Sequence, residues 1–185
     1  MIPKFTNLSA SNGGNALGGN KEIIRFTIEA VGLPDSKLFF DGGVTGDVTG
    51  ASGSIEFDIV ASGGVNSNMT IVFLGADDNI TYGTSVPTTA QSTTNEIASL
   101  SFGTTGTGQD LEISGGSSKT IFATTTFVNF AQNGDSFQLV VRDEAGIVDW
   151  VANSTGATSD ADTTSVANVL KGLPINGTSF VTTGL

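Results

Sequence analysis

Cysteine and histidine are both absent from this sequence of 185 residues. Their absence excludes disulfides, thiol nucleophiles, haem ligation, zinc sites of the usual kinds and histidine-based acid–base chemistry. Lysine and arginine are scarce, with 7 against 18 acidic residues, and the formal net charge is −11. Binding to nucleic-acid phosphates or to an anionic membrane surface requires clustered positive charge. The composition therefore argues against both kinds of partner.

Long hydrophobic runs are also missing from the sequence. No segment approaches the ~20 apolar residues that a transmembrane helix needs. The first residues, MIPKFTNLSAS, lack the apolar region of a signal peptide. We therefore expect no membrane span and, if the protein is secreted, a chain from which the leader has been removed. Abundant Gly, Ser, Thr and Asn favour an extracellular or cell-surface location in a bacterium or archaeon.

The sequence is rich in short segments in which apolar and polar residues alternate. In EIIRFTIEA, Ile24, Phe26 and Ile28 fall on one face of a strand, and Arg25 and Thr27 fall on the other. Similar segments follow, separated by turn sequences such as SGG and NGD. The predicted strands are residues 22–30, 37–41, 52–62, 68–75, 96–102, 109–114, 119–128, 136–143, 146–151 and 178–183.

This succession of strands predicts an all-β fold. We expect a single antiparallel β-sandwich, Ig-like or jelly-roll in type, with roughly eight to ten strands. Residues 1–21 are predicted to be an N-terminal arm and flexible span, and residues 22–185 the sandwich domain. Residues 163–174 have the apolar spacing of one or two helical turns, and residues 154–165 are expected to form a surface loop.

Few residues are candidates for chemistry or metal binding. Asp77 with Asp78, and Asp160 with Asp162, supply closely spaced oxygens of the kind that Ca²⁺ prefers, although neither pair continues into a known calcium-loop pattern. Aspartate also favours turns, so a metal site and a simple turn stay open for both pairs. Other acidic residues alternate outward on predicted strands, as solvated faces do: Glu29, Glu56, Asp58 and Glu112. We expect no catalytic residues, no cofactor and no enzymatic activity.

Sugar binding and covalent modification have weak support in the sequence. Sugar-binding sandwiches usually present an aromatic platform, but Trp150 follows an apolar pair and is expected in the core, and Tyr82 lies on a different strand. Asn-x-Ser/Thr triplets begin at Asn7, Asn68, Asn79, Asn153 and Asn176; of these, Asn7 and Asn153 are the candidates for glycosylation. Lys37 and Lys119 begin strands, where exposure argues against an intramolecular Lys–Asn bond.

Four segments occur in the order EIIRFTIEA, SGSIEFDIVASGGVNSNMTIVF, LEISGGSSKTIFATTTF and GDSFQLVVRDEAGIVDW. This series resembles the β-sandwich modules of large surface proteins from candidate-phyla bacteria, and ISGGSSKT (113–120) and GDSF (134–137) carry the match. The resemblance covers about residues 20–151 and implies a cell-surface structural module without catalytic residues. With its long arms, the chain is more similar to TasA-like and archaeal bundling-pilus filament subunits, in which a terminal arm completes the sheet of the next subunit.

The N-terminus has the composition of such an arm. Ile2, Phe5 and Leu8 are apolar anchors, and Pro3, which cannot donate to a ladder, is expected at the start or on the outer side of the strand. The segment NGGNALGGN (12–20) then spans two subunits, because nine extended residues at ~3.3 Å each cover about 30 Å. The predicted interface arm is Ile2, Pro3, Lys4, Phe5, Thr6, Asn7 and Leu8.

The expected function is that of a structural subunit of an extracellular, pilus-like filament or surface layer. Copies of the chain would join head-to-tail by donor-strand complementation and form a homopolymer. A monomeric cell-surface adhesin, or a carbohydrate-binding sandwich that recognises surface glycans, is the alternative. Two other possibilities stay open: residues 1–21 pack against their own domain, or the C-terminal segment TSFVTTGL is the exchanged arm.

Overall fold

The computed structural model describes residues 1–40, 53–62, 69–89, 96–103, 109–128, 130–153, 161–164 and 170–185, and gives only the backbone of residues 89, 151–153 and 161–164. Within these ranges the chain forms sixteen β-strands and no helix. None of the described segments is therefore a helix able to cross a membrane. The strands are β1 (Ile2–Asn7), β2 (Asn12–Asn15), β3 (Asn20–Val31), β4 (Lys37–Phe40), β5 (Ser54–Ser62), β6 (Ile71–Gly75), β7 (Thr81–Ser85), β8 (Thr88–Thr89), β9 (Glu96–Ser101), β10 (Leu111–Ser114), β11 (Ser118–Thr126), β12 (Ser136–Val141), β13 (Val148–Asn153), β14 (Ala161–Thr164), β15 (Ile175–Asn176) and β16 (Ser179–Val181).

Five strands form the first sheet in the order β1-β3-β11-β6-β7, and every neighbouring pair is antiparallel. The long strand β3 buries its alternating apolar side chains, including Phe26. Near the start of β3, the register with β11 shifts between Ala123 and Thr124. This β-bulge lets two consecutive residues of β3, Ile23 and Ile24, both be fully buried.

The second sheet contains eleven strands. Its main path runs β10-β4-β13-β5-β12-β16-β2, while β14 adds to β13, β15 to β12, β9 to β5 and β8 to β9. The pair β16 with β2 is parallel, and the other pairs are antiparallel. Two strands from opposite ends of the sequence, β2 and β16, therefore lie side by side in this sheet.

The two sheets pack face to face around a core rich in phenylalanine. The ring of Phe57 in the second sheet lies 6.2 Å from Phe26 and 5.0 Å from Phe73, which both belong to the first sheet. Further along, the rings of Phe127 and Phe180 lie 5.2 Å apart. Such aromatic pairs contribute ~0.5–1.5 kcal/mol beyond the apolar area that they bury. The protein is an all-β sandwich, and the predicted fold class is confirmed.

Every strand predicted from alternation is present, but the predicted total of roughly eight to ten strands is too low. The ten segments predicted from alternation do not include β2, β7, β8, β14 or β15. The predicted surface loop at 154–165 is wrong for residues 161–164, which form β14 on the edge of β13. Residues 154–160 and 165–169 lie outside the described ranges, and so does most of the apolar helical spacing predicted within 163–174.

Candidate functional site

The predicted arm segment forms β1, and in this single chain it pairs with β3 of its own domain. The register runs from Ile2 opposite Val31 to Asn7 opposite Phe26. Phe5 is only 2% exposed, and its ring lies 6.1 Å from that of Phe26. The strand thus extends the first sheet and inserts one large aromatic side chain into the core.

On the side opposite β3, β1 contacts residues 170–172. The backbone N–H of Phe5 donates to the carbonyl oxygen of Lys171 at 2.8 Å, and Lys4 forms a parallel bridge with Lys171. The nitrogen of Pro3 points the same way as that of Phe5, away from β3, because backbone directions repeat every two residues in a strand. The lack of an N–H group on Pro3 therefore removes no hydrogen bond between β1 and β3. We call the space between β3 and residues 170–172, which β1 fills, the β1 groove.

Gly172 allows residues 170–172 to lie close against β1. Its φ is +87°, and a Cβ atom there would overlap the carbonyl oxygen of Phe5. The neighbouring Leu170 is buried with Phe5 in the same core cluster. In the sequence, Gly172 lies within the helical spacing predicted for residues 163–174, and no local signal links it to β1.

The three apolar residues proposed as anchors differ in exposure in the single chain. Phe5 is buried, whereas Ile2 is 42% and Leu8 48% exposed. On the outer face of β1, the Nζ atom of Lys4 lies 2.8 Å from Glu29 Oε2, with both side chains about two-fifths exposed. A pair this exposed stabilises the fold by about 1 kcal/mol or less. Binding in the β1 groove therefore depends mainly on Phe5 and on main-chain hydrogen bonds.

The predicted span 12–20 contains β2, which pairs in parallel with β16. A Cβ atom on Gly13 would overlap the ring of Phe180, so the two strands approach closely. Asn15 binds the main chain of Thr183 at two points: its Nδ2 donates to the Thr183 oxygen at 2.8 Å, and its Oδ1 accepts from the Thr183 nitrogen at 3.3 Å. The N–H of Ala16 also donates to the carbonyl oxygen of Val181. In this chain the first part of the glycine-rich segment, Asn12–Asn15, is a bound strand.

In the first candidate calcium pair, Asp78 is engaged in protein contacts. Asp78 Oδ1 accepts from the N–H of Ile80 at 3.0 Å, and Asp78 Oδ2 accepts from Tyr82 at 3.2 Å and from Lys119 Nζ at 2.9 Å. These donors lower the pKa of Asp78, and the hydrogen bond from the N–H of Ile80 has the largest effect. Burial and the charge of Asp78 raise the pKa of Tyr82 to about 12. Asp78 thus joins the β6–β7 turn to β11.

The described part of the chain contains no cluster of three or more potential metal ligands among His, Cys, Asp and Glu. Asp77 is exposed next to Asp78. In the second candidate calcium pair, Asp160 lies outside the described ranges and the side chain of Asp162 is not described.

One acidic residue predicted to face solvent is buried. Asp58 is only 8% exposed and forms an ion pair with Arg142. Burial raises the pKa of Asp58, although the positive charge of Arg142 opposes the rise. The prediction that Asp58 is solvated is wrong because Arg142 covers it. The pairing of β5 with β9 and β12 is regular through Asp58, so its side chain lies on the face opposite Phe57 and Ile59, where the ion pair buries it. This ion pair joins β5 to the chain just after β12.

Trp150 is 3% exposed, which confirms the prediction that it belongs to the core. Its Nε1 donates to the carbonyl oxygen of Met1 at 3.4 Å, and a buried indole cannot act as a platform for a sugar. Lys37 and Lys119 are partly exposed and pair with carboxylates, Lys37 with Glu112 at 2.5 Å. Neither lysine is bonded to an asparagine side chain in these contacts.

The two glycosylation candidates have different settings. Asn7 is exposed at the end of β1, and its amide is engaged: Nδ2 donates to the Asn176 oxygen and Oδ1 accepts from the Ser9 nitrogen, both at 2.9 Å. A glycan on Asn7 Nδ2 would therefore disturb the contact with Asn176. Asn153 ends β13, where its backbone lies opposite Lys37, and its side chain is not described.

Comparison with known proteins adds no family to these features. The sequence matches no protein-family model, and no curated protein matches it significantly. The β1 groove is therefore the feature on which a functional proposal rests.

Proposed function

We propose that this protein is a structural subunit of an extracellular filament or surface layer, and that copies join head-to-tail by exchanging the N-terminal strand. The observation that carries the proposal is the β1 groove, which is filled by a terminal strand through Phe5 and main-chain hydrogen bonds. A second copy of the chain carries the same strand and the same groove, so one copy can fill the groove of another.

Loss of β1 leaves the domain incomplete. The edge of β3 then exposes unpaired N–H and C=O groups, and the space next to Phe26 loses the ring of Phe5. An empty space of this size costs ~3–5 kcal/mol by analogy with removal of a buried Phe side chain. A chain whose own β1 is displaced therefore favours capture of another β1, because strand addition restores both the hydrogen bonds and the packing.

The contacts of β1 are the same whether the strand comes from the same chain or from a neighbour. Exchange of an identical element between copies costs little once the chain has opened, and a head-to-tail contact that does not close produces an open polymer. The abundance of Gly, Ser, Thr and Asn, and the resemblance to cell-surface sandwich modules and filament subunits, support a structural role in the extracellular space.

One observation favours the second candidate, a monomeric cell-surface adhesin or glycan-binding module. In the single chain β1 already fills its own groove, so the domain is complete without a partner. This closed form is the starting point of exchange under the first proposal and the functional form under the second. The two proposals differ in which chain supplies β1 at high protein concentration.

Cysteine cross-linking tests the proposal cleanly because the chain has no native cysteine. Thr6 and Thr27 are register partners on β1 and β3, with a Cα spacing of ~5.5 Å or less that suits a disulfide. We expect concentrated Thr6→Cys/Thr27→Cys protein to give, after oxidation, a ladder of covalent multimers on a non-reducing gel. The matched control is Thr27→Cys/Thr120→Cys, which links β3 to β11 within one domain and should give monomers only.

A uniform monomer for both variants, in protein that also elutes as a monomer, would contradict the filament proposal and favour the adhesin. Polymers that form while the Thr6→Cys/Thr27→Cys bond stays within one chain would show assembly through another segment. Residues 178–185 would then be the next segment to examine. Electron microscopy of the same samples distinguishes filaments from sheets.

A further inference from the structure

We infer that the exchanged element is larger than the arm: residues 1–16 move as one unit that contains both β1 and β2. The acceptor surface on the second copy then has two parts, the β1 groove and the edge of β16. This inference rests on the proposed function and names the partner surface that exchange requires.

Only a short connection separates β1 from β2. After β1 ends, the N–H of Leu8 donates to the carbonyl oxygen of Arg25 at 2.9 Å. The hydroxyl of Ser9 then accepts from the Arg25 nitrogen at 2.9 Å and donates to the Arg25 oxygen at 3.1 Å. Residues 2–9 therefore all lie along β3. Only Ala10 and Ser11 remain before β2 begins, and two extended residues span about 7 Å.

β2 is held by contacts that are costly to lose. Gly13 lies against the ring of Phe180, Asn15 makes its two hydrogen bonds to Thr183, and Ala16 is buried and bonded to Val181. A swap that moves β1 but releases β2 as a free linker loses all of these contacts. A swap that leaves β2 in place gives β1 a reach of only about 7 Å beyond its own domain.

The hinge lies after β2, at Gly18 and Gly19. Both residues are exposed and have left-handed φ values, +84° and +77°, and a Cβ atom on either would meet nothing within 4 Å. They join the end of β2 to the start of β3 at Asn20, which is paired with Thr126 of β11. Rotation at these two glycines moves residues 1–16 away from the domain and leaves β3 in its sheet.

Exchange of the whole unit restores every contact in the second copy. β1 regains β3 and residues 171–172, and β2 regains Phe180 and Thr183, so only the hinge changes conformation. An exchanged form can compete with the closed form when it keeps the same contacts and differs only at the hinge. The segment 12–20 is thus a second donated strand followed by a hinge, and β16 near the C-terminus is part of the acceptor.

A second cysteine pair tests the inference. Asn12 and Ser179 are register partners on β2 and β16. In polymer made from Asn12→Cys/Ser179→Cys protein, we expect oxidation to give the same ladder of multimers as Thr6→Cys/Thr27→Cys. The Thr27→Cys/Thr120→Cys pair, which links β3 to β11 within one chain, again serves as the control.

The two pairs separate failure of the inference from failure of the proposed function. A ladder from Thr6→Cys/Thr27→Cys with only intrachain bonds from Asn12→Cys/Ser179→Cys would mean that β1 is exchanged alone. That result overturns the inference and leaves strand donation standing. Intrachain bonds from both pairs overturn the proposed strand exchange and the inference together.

The position of the hinge at Gly18 and Gly19 can be tested separately. Alanine in the left-handed region costs enough to shift an equilibrium by about tenfold per residue, so Gly18→Ala/Gly19→Ala should favour the open, exchanged form. We expect a larger multimer fraction at a given concentration than for the unsubstituted chain. The matched control is Gly116→Ala, another open left-handed glycine, which lies in the turn before β11. An equal multimer fraction in both variants would contradict the placement of the hinge.

Discussion

Gly172 lies directly against the main chain of Phe5. A Cβ atom added to Gly172 would be 2.7 Å from the carbonyl carbon of Phe5 and 3.3 Å from its Cα. The φ of Gly172 is also left-handed, at +87°. Space and backbone conformation both exclude a side chain, so the wall of the β1 groove requires glycine at this position.

We therefore expect Gly172→Ala to displace β1. The left-handed backbone alone costs ~1–2 kcal/mol for alanine, and the overlap with Phe5 adds to this because neither backbone segment is free to move away. Chemical unfolding measures the loss, and hydrogen exchange at the Phe5 amide reports release of β1. Gly116→Ala is the matched control, with φ +77° and open space around it. Equal stability of the two variants would show that the contact with Phe5 is unimportant.

Phe5→Ala should destabilise the closed monomer far more than any other substitution in the arm. Removal of a fully buried Phe side chain costs ~3–5 kcal/mol, because it loses apolar burial and leaves a cavity next to Phe26. Leu8→Ala is the control, since Leu8 is 48% exposed and its loss should change the free energy of unfolding by about 0.5 kcal/mol or less. Equal losses at the two positions would contradict a groove that depends on Phe5.

The contacts of Asp78 predict a pH dependence of stability. Its pKa is lowered in the folded protein, chiefly by the N–H of Ile80 and also by Lys119. A carboxyl group with a lowered folded pKa stabilises the fold above its unfolded pKa, and this stabilisation is lost as the pH falls through the folded value.

Asp78→Asn should therefore be less stable than the unsubstituted chain at neutral pH, and the difference should shrink as the pH falls toward about 2. Unfolding curves at a series of pH values measure it. Asp77→Asn removes the same formal charge from an exposed neighbour and serves as the control. A stability difference for Asp78→Asn that is independent of pH would contradict the assigned role of the carboxylate.

Tyr82 offers a direct titration because it is the single tyrosine of the chain. Burial first, and then the charge of Asp78, raises its pKa to about 12. Near-ultraviolet absorbance of the folded protein should show ionisation at that value, against ~10 in denaturant. In Asp78→Asn the pKa should fall but remain above the ordinary value, because burial persists. Ionisation of folded protein near the value seen in denaturant would refute the buried position of the phenol.

The all-β class and most strands were predictable because alternation is a local property of the chain. A segment such as 22–30 has one apolar face, and burial of that face in a sheet follows from the hydrophobic effect. The core position of Trp150 followed from the same reasoning. The prediction for Asp58 was wrong because Arg142, from a distant part of the chain, covers its carboxylate and buries it on a strand face that alternation predicts to be solvated.

The sequence by itself determined that this protein would bury phenylalanine-rich strands between two sheets, since a side chain's preference for burial belongs to the residue. Tertiary structure alone decided the roles of the glycine-rich segment 12–20 and of Gly172. NGGN has little strand preference of its own, and it becomes β2 because Phe180 and Thr183 approach it from far along the chain. Gly172 likewise acquires its role only when β1 lies beside it. These contacts join residues more than 160 positions apart, so no local pattern in the sequence records them.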